Sequence, residues 1–98
     1  MNRVDGKVAI VTGGTQGLGK AIAMNLAKMG AKGIVTLGRN EKRGEEVRNS
    51  IHQETGCETY FFKTELSDVN NCREAISFTL GRFSQIDILV NAAGLTDR

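Results

Sequence analysis

Four glycines stand close together near the amino end of the chain: Gly13, Gly14, Gly17 and Gly19. They follow the apolar run Val8–Val11 and precede a segment with helical periodicity, which predicts a strand, a tight turn and a helix. Glycine lets backbone N–H groups approach an anion closely, and the amino end of a helix carries about half a positive charge. The segment from Thr12 to Gly19 is therefore a candidate site for a pyrophosphate group.

The glycines have two other interpretations, a phosphate loop and a merely tight turn. Gly14, Gly19 and Lys20 match the glycine and lysine spacing of the phosphate loop of nucleoside triphosphatases. That loop continues with a Ser or Thr that reaches Mg²⁺, whereas Ala21 follows here, and no later predicted strand ends in a metal-binding aspartate. The sequence therefore favours a dinucleotide over a triphosphate, and a merely tight turn is the structural alternative.

The elements that must position this loop alternate along the chain in the order βαβαβαβ. Apolar runs predict strands at Val8–Val11, Ile34–Leu37, Thr59–Phe62 and Ile86–Val90. Strands that alternate with helices form a parallel sheet with right-handed crossovers and helices on both faces. We predict an α/β fold: the first four strands, in the order 3-2-1-4, of a doubly wound parallel sheet of the Rossmann type.

Each predicted helix has an apolar stripe that should face the sheet. The first begins at Gly17 and ends at Gly30, with the stripe Leu18, Ile22, Leu26 and Met29. The second runs from about Glu41 to Glu54, with the stripe Gly44, Val47 and Ile51. The third is capped by Ser67 or Asp68, with the stripe Val69, Cys72, Ile76, Leu80 and Phe83.

Composition and charge argue against several classes of function. The chain has 98 residues and a net charge of +2, and its thirteen Lys and Arg residues form no basic stripe, so we expect no nucleic-acid partner. No run approaches the roughly 20 apolar residues that cross a membrane, and the amino end does not resemble a signal peptide, so the default location is cytoplasmic. Cys57 and Cys72 suit neither a disulfide framework nor a metal site, and His52 has no partner ligand.

Three motifs, in order, resemble those of the short-chain dehydrogenase/reductase family. Thr12-Gly13-x-x-x-Gly17-x-Gly19 is the family's TGxxxGxG, and Asn91-Ala92-Ala93-Gly94 resembles its NNAG turn after the fourth strand. Glu65-Leu66, followed by Asp68, resembles the acidic-apolar pair after the third strand. Two positions depart from the family pattern. Where Glu65 stands, the family usually has an Asp whose side chain meets the adenine ring. Where Ala92 stands, it usually has Asn.

The end of the second predicted strand favours NADP(H) over NAD(H). NAD-binding domains place an acidic residue about 20 positions after the glycines to bind the ribose 2′-hydroxyl. Gly38 occupies that position and Arg39 follows it, a residue whose guanidinium can bind a 2′-phosphate. Lys42 and Arg43 add positive charge, but Glu41, Glu45 and Glu46 can pair with it, so NAD(H) is the alternative. The candidate cofactor-binding residues are Thr12, Gly13, Gly14, Thr15, Gln16, Gly17, Leu18, Gly19, Arg39, Asn40, Glu65, Leu66, Asn91, Ala92, Ala93 and Gly94.

The resemblance implies hydride transfer between a nicotinamide cofactor and an alcohol or carbonyl substrate, with a Tyr–x–x–x–Lys pair and an upstream Ser. Tyr60 is the only tyrosine and Thr64 follows four residues later, so no catalytic residue is assigned. We expect residues 1–98 to be the amino-terminal part of one dinucleotide-binding domain, inactive without a carboxyl-terminal catalytic part, and the full-length protein to be a homo-oligomer. The alternative is a free-standing nucleotide-binding or interaction module that pairs through its exposed fourth strand.

Overall fold

The computed structural model describes residues 3–13, 15, 17–65 and 67–92. Within them, four strands alternate with three helices in the predicted order: β1 (Val8–Thr12), α1 (Gly17–Lys28), β2 (Gly33–Gly38), α2 (Glu41–Thr55), β3 (Glu58–Lys63), α3 (Val69–Phe83) and β4 (Ile88–Asn91). The first three strands contain the predicted runs. The fourth begins two residues later than predicted and includes Asn91, which the sequence placed in the following turn.

The strands form a parallel sheet in the order β3-β2-β1-β4, which confirms the predicted topology. β1 pairs with β2 on one side and with β4 on the other, and Ala9 lies opposite Ile34 and Ile88. The chain order reverses between β1 and β4, since β2 and β3 extend the sheet in the other direction. In open α/β sheets, ligands bind outside the carboxyl ends of the strands at this switch point.

Helices cover both faces of the sheet, as predicted. Side chains alternate between the faces along a strand, so Ile10 and Val11 of β1 enter different cores. One core joins the sheet to α1 and α2, and its buried members include Val11, Ala23, Ala27, Ile34, Val47 and Ile51. The other joins the sheet to α3, and its buried members are Val8, Ile10, Val35, Leu37, Ala75 and Phe83.

The predicted stripe of α2 is confirmed, but that of α1 is wrong by one position. Gly44, Val47 and Ile51 are all buried. In α1 the buried residues are Gly19, Ala23 and Ala27, each one position after a predicted residue, and Leu18 is 45% exposed. One position is a rotation of about 100° around the helix axis. The small residues let α1 approach the sheet closely, and the larger side chains lie along its flanks.

The predicted stripe of α3 is also wrong, except at Phe83. The helix buries Ala75, Thr79 and Phe83. Val69, Ile76 and Leu80 are 62%, 44% and 46% exposed. Cys72, which the predicted stripe placed toward the sheet, is only half-buried. The small side chains again face the sheet, and Leu89 of β4, on the same side of the sheet as α3, is 71% exposed.

The helix ends follow ordinary capping chemistry. The Asn40 side chain accepts a hydrogen bond from the Arg43 backbone N–H and begins α2, and Gly56 ends it with a φ of 75°. Asp68, rather than Ser67, caps α3. Gly30 follows α1 with a φ of 97°, the left-handed conformation that is usual just after a helix.

No helix among the described residues has the length and apolar character to span a membrane. In the same part of the chain, no three His, Cys, Asp or Glu side chains come close enough together to hold a metal ion.

Candidate functional site

The carboxyl ends of β1 and β4 are tied together by two predicted site residues. Thr12 Oγ1 donates a hydrogen bond to Asn91 Oδ1 at 2.9 Å, across a sequence separation of 79 residues. The Ala92 backbone N–H donates to the Thr12 carbonyl at 3.1 Å, and Ala92 is fully buried. The structure therefore brings the first and last predicted motifs to one edge. Ala93 and Gly94 lie outside the described residues.

The glycine turn leads from β1 into α1. Gly13 and Gly17 have φ angles of 72° and 57°, which glycine adopts without steric cost. The Gly13 N–H donates to the Leu37 carbonyl at 2.8 Å, which draws the turn over the end of β2. Gly17 is the first residue of α1, whose first turn holds no acidic residue and, like that of any helix, has N–H groups without intrahelical partners. This end of α1 is suited to an anion; Gly14 and Gln16 lie outside the described residues.

Gly38, at the end of β2, lies directly beside Thr15. A Cβ atom at position 38 would lie 3.0 Å from Thr15 Cγ2 and 3.3 Å from Thr15 Oγ1. Thr15 is only 7% exposed, so it has little room to move away. A side chain at the position where NAD-binding domains have an acidic residue would therefore crowd Thr15.

The two predicted residues that follow Gly38 have different roles in the structure. Arg39 is exposed, and so is Asn40. The Asn40 side-chain oxygen is used as the cap of α2, where it accepts from the Arg43 N–H at 3.0 Å. Of the two side chains, Arg39 is the one that can extend toward a ligand.

The end of β3 joins the same edge. The N–H of buried Thr64 donates to the Gly38 carbonyl at 2.7 Å, which places Glu65 next to the end of β2. The Glu65 N–H donates to Asn71 Oδ1 at 3.1 Å, and Glu65 is exposed. Asn71 was missed by the sequence analysis, although it falls in the first turn of the predicted third helix. Leu66 lies outside the described residues.

A cavity of about 310 Å³ lies between the amino ends of α1 and α2. It is lined by Thr15, Gly17, Lys20, Arg43, Glu46 and Val47. The sequence analysis assigned Thr15 and Gly17 to the site but did not select the other four. Lys20 follows Gly17 by three residues, so the two share a face of α1, and this spacing was the available signal.

Tyr60 is held at the opposite, amino edge of the sheet. Its hydroxyl donates to Glu58 Oε2 and accepts from Arg82 Nε, and Arg82 also pairs with Glu58. Glu58 begins β3 and Arg82 lies near the end of α3, so this cluster is far along the strand from the candidate site.

Cys57 is a structural residue. Its Sγ donates to the Ala31 carbonyl at 3.3 Å, and burial raises the pKa of the Cys57 thiol. A thiol with a raised pKa forms less of the reactive thiolate. Cys57 therefore has no role at the carboxyl edge.

The parallel sheet, the glycine turn after β1 and the adjacent switch point are those of a Rossmann-type domain. The family model described as short chain dehydrogenase matches residues 7–98. The chain belongs to this family of oxidoreductases, as its motifs suggested.

Relatives of known sequence and structure agree with this placement. The chain is 36% identical over 95 residues to a 3beta-hydroxysteroid dehydrogenase of Mediterraneibacter gnavus, covering 97% of this chain and 34% of the relative. The crystal structure of L-sorbose reductase from Gluconobacter frateurii, complexed with NADPH and L-sorbose, superposes with a TM-score of 0.84 at 30% identity, covering 89% of this chain and 33% of that one. A 7 alpha-hydroxysteroid dehydrogenase complexed with NADH and 7-oxo glycochenodeoxycholic acid superposes with a TM-score of 0.84 at 31% identity, covering 91% and 34%. The chain thus spans about a third of the length of these relatives.

Proposed function

We propose that this chain forms the dinucleotide-binding part of an NADP(H)-dependent short-chain oxidoreductase, with NAD(H) as the alternative cofactor. The observation that carries the proposal is the glycine turn, which opens α1 at the switch point between β1 and β4. Membership of an oxidoreductase family supports it. The solved relatives with NADPH and with NADH support a nicotinamide cofactor and leave its type open.

The residues present suit such a cofactor. The N–H groups at the start of α1 would hold the pyrophosphate, because they have no intrahelical partners and carry partial positive charge. The Thr12–Asn91 hydrogen bond would keep the ends of β1 and β4 at a fixed separation beneath it. The adenosine would lie among Glu65, Asn91 and Ala92. The bound nicotinamide would supply or accept the hydride that reduces a carbonyl or oxidises an alcohol.

The preference for NADP(H) rests on the end of β2. Gly38 occupies the position of the acidic residue that would bind a 2′-hydroxyl, so no carboxylate from position 38 repels a 2′-phosphate. Arg39 follows and is exposed, and it makes no hydrogen bond or ion pair with any residue in the described part of the chain. A guanidinium there would form charge-assisted hydrogen bonds with the phosphate.

Substrate chemistry is assigned to the remainder of the protein. Tyr60 serves the Glu58–Arg82 cluster at the amino edge, which supports leaving it out of the catalytic machinery. We propose that residues 1–98 are the amino-terminal part of one domain and that they have no dehydrogenase activity by themselves. Steady oxidation of NADPH by the purified 98-residue chain, with a carbonyl substrate present, would contradict this.

Arg39→Ala in the full-length protein tests the cofactor assignment. Loss of a charge-assisted contact worth about 1.5–3 kcal/mol should lower NADPH affinity by roughly ten- to a hundredfold. NADH lacks the 2′-phosphate and should bind almost as before. Affinities are measured by titration at fixed ionic strength, because salt screens exposed charges.

Lys28→Ala is the matched control, since Lys28 is an exposed cation at the opposite end of α1 from the glycine turn. It should change NADPH affinity little. Equal losses of NADPH and NADH in Arg39→Ala would refute the NADP(H) assignment. Failure of the unaltered protein to bind either cofactor would refute the proposed function itself.

A further inference from the structure

Asn71, in the first turn of α3, makes a contact that the capping of the helix does not require. Asp68 caps α3, because its side chain accepts from the N–H groups of Asn70 and Asn71. Asn71 is the third helical residue, and in a capping box a Glu or Gln at that position bonds back to the N–H of the capping residue. Here the Asp68 N–H donates to the Glu65 carbonyl instead, at 2.9 Å. The Asn71 side chain accepts from the Glu65 N–H at 3.1 Å, so it fixes the turn before the helix.

The backbone around Glu65 is attached both to the sheet and to α3. The Glu65 N–H is bound by the Asn71 side chain, and the Glu65 carbonyl by the Asp68 N–H. The preceding residue, Thr64, is buried, and its N–H donates to the Gly38 carbonyl at the end of β2, at 2.7 Å. Asn71 is therefore the side chain through which α3 holds the end of β3 in place.

The Glu65 side chain, in contrast, is available to a ligand. Glu65 is exposed, and its carboxylate makes no hydrogen bond or ion pair with any residue in the described ranges. A long side chain loses rotamer freedom when it binds, and a backbone that is already fixed lowers the total cost of ordering. A carboxylate only accepts hydrogen bonds, so it suits an amino group of a ligand. In a dinucleotide, the 6-amino group of the adenine is such a donor.

These contacts give Asn71 a role in binding without a contact to the ligand. In the proposed function, the adenosine lies beside Glu65. We propose that Asn71 is a positioning residue: by holding the Glu65 N–H, it places the Glu65 carboxylate where it accepts from the 6-amino group of adenine. The first turn of α3 thereby contributes to the selection of the base. This inference rests on the proposed function.

Two forms of the preferred cofactor, NADPH or NADH, provide the test: the natural form, and an analogue in which a hydrogen atom replaces the 6-amino group of adenine. Binding to the full-length protein is measured by titration, followed by the fluorescence of the reduced nicotinamide. The unaltered protein should bind the natural form more tightly, because the analogue lacks the donor. Asn71→Ala should lower the affinity for the natural form by about three- to tenfold, roughly the range of one hydrogen bond. Affinity for the analogue should be almost unchanged.

A double variant tests whether Asn71 acts through Glu65. Glu65→Ala removes the carboxylate and should itself lower the affinity for the natural form. Adding Asn71→Ala to Glu65→Ala should cause no further loss, because no carboxylate is left to position. A purely structural role for Asn71 would instead lower affinity in both backgrounds and for both forms of the cofactor.

Asn70→Ala is the matched control, because Asn70 is an exposed asparagine on the same helical turn, and it should bind both forms normally. Urea unfolding of every variant shows whether a loss of binding reflects unfolding. If Asn71→Ala does not fold, Asn71→Ser takes its place, since serine keeps a polar side chain in the first helical turn but is too short to replace the contact with Glu65.

Equal losses of the two forms in the Asn71 variant would overturn the inference, and so would unchanged affinity for the natural form. A further loss in the Glu65→Ala background would also overturn it. If the unaltered protein bound both forms equally, the inference would fail while the proposed function remained intact. If the unaltered protein bound neither form, the proposed function would fail as well.

Discussion

The polar groups at the two edges of the sheet differ in their hydrogen-bond partners. At the amino edge, they bond to neighbouring residues of the chain. The Asp87 carboxylate accepts from the Val8 N–H at 2.9 Å and from the Gln85 amide at 2.6 Å, and that amide also donates to the Gly6 carbonyl. Tyr60 is likewise held by two neighbours. These contacts join the start of β1 to the segment before β4, and β3 to α3.

The carboxyl edge ties its strands together but keeps other polar groups available. Thr12 and Asn91 pair with each other, whereas Thr15 and Arg39 make no hydrogen bond with residues in the ranges described. The polar side chains of the amino edge therefore stabilise the fold, whereas Thr15 and Arg39 at the carboxyl edge remain available to a ligand. Removing a polar group at the amino edge should therefore lower stability and leave cofactor affinity unaltered.

The largest effect is expected at Gly38. Gly38→Asp should place a carboxylate near the 2′-phosphate and lower NADPH affinity by about tenfold or more, since a lost or opposed charge contact is worth at least about 1.4 kcal/mol. The new Cβ also crowds Thr15, so the free energy of unfolding should fall by about 1–3 kcal/mol.

A second substitution separates the two consequences of Gly38→Asp. Thr15→Ser removes Cγ2, the atom nearest to the new Cβ, and keeps the hydroxyl. The double variant should recover stability in urea titrations and bind NADH better than Gly38→Asp alone, without regaining NADPH affinity. If the double variant is no more stable than the single one, Thr15 does not crowd a side chain at position 38.

Tyr60→Phe tests the amino edge. It removes a hydroxyl that bonds to Glu58 and Arg82 but keeps the ring against Phe78, at 4.9 Å between centroids. The free energy of unfolding should fall by about 0.5–1.5 kcal/mol, the usual value of a hydrogen bond. Urea unfolding and NADPH titration are both measured. A clear loss of NADPH affinity would contradict the claim that polar groups at the amino edge affect only stability.

The smallest effect is expected at Asp87, and it depends on pH. Hydrogen bonds from Gln85 and the Val8 N–H lower the pKa of the Asp87 carboxyl. The resulting stabilisation is complete above the ordinary carboxyl pKa and is lost as the pH falls through the lowered one. Asp87→Asn should therefore melt below the unaltered protein at neutral pH, and the difference should disappear in acid. Glu74→Gln, at an exposed carboxylate on α3, is the control; a difference that persists in acid would contradict the prediction.

Helix packing shows where prediction from the sequence succeeded and where it did not. Element order and sheet topology were predictable because apolar runs and connection rules determine them. The stripe of α2 was correct because its apolar residues form a single helical series. In α1 two series have the same period, one of large residues beginning at Leu18 and one of small residues beginning at Gly19. Periodicity does not choose between them, but close approach of the helix to the sheet favours the small ones.

Some features of the candidate site were likewise predictable from the sequence, and others were not. The glycine turn and the position of Arg39 after β2 were predictable because both depend on local backbone geometry and on the end of a strand. The cavity was not, since Lys20 and Arg43 lie 23 positions apart and meet only through the packing of α1 against α2. The close contact of Thr15 with Gly38 likewise depends on how the turn folds over β2.

The pairing of β1 with β4 also implies an order in which the strands assemble as the chain folds. β1 meets β2 through residues 25 positions away, such as Val8 and Gly33, but Ala9 meets Ile88 only after 79. Closing the longer loop costs more chain entropy, so contacts of low sequence separation form first. On a ribosome, β1, β2 and β3 can assemble while β4 is still being synthesised. The crevice beside Thr12 is then completed last, when Asn91 emerges.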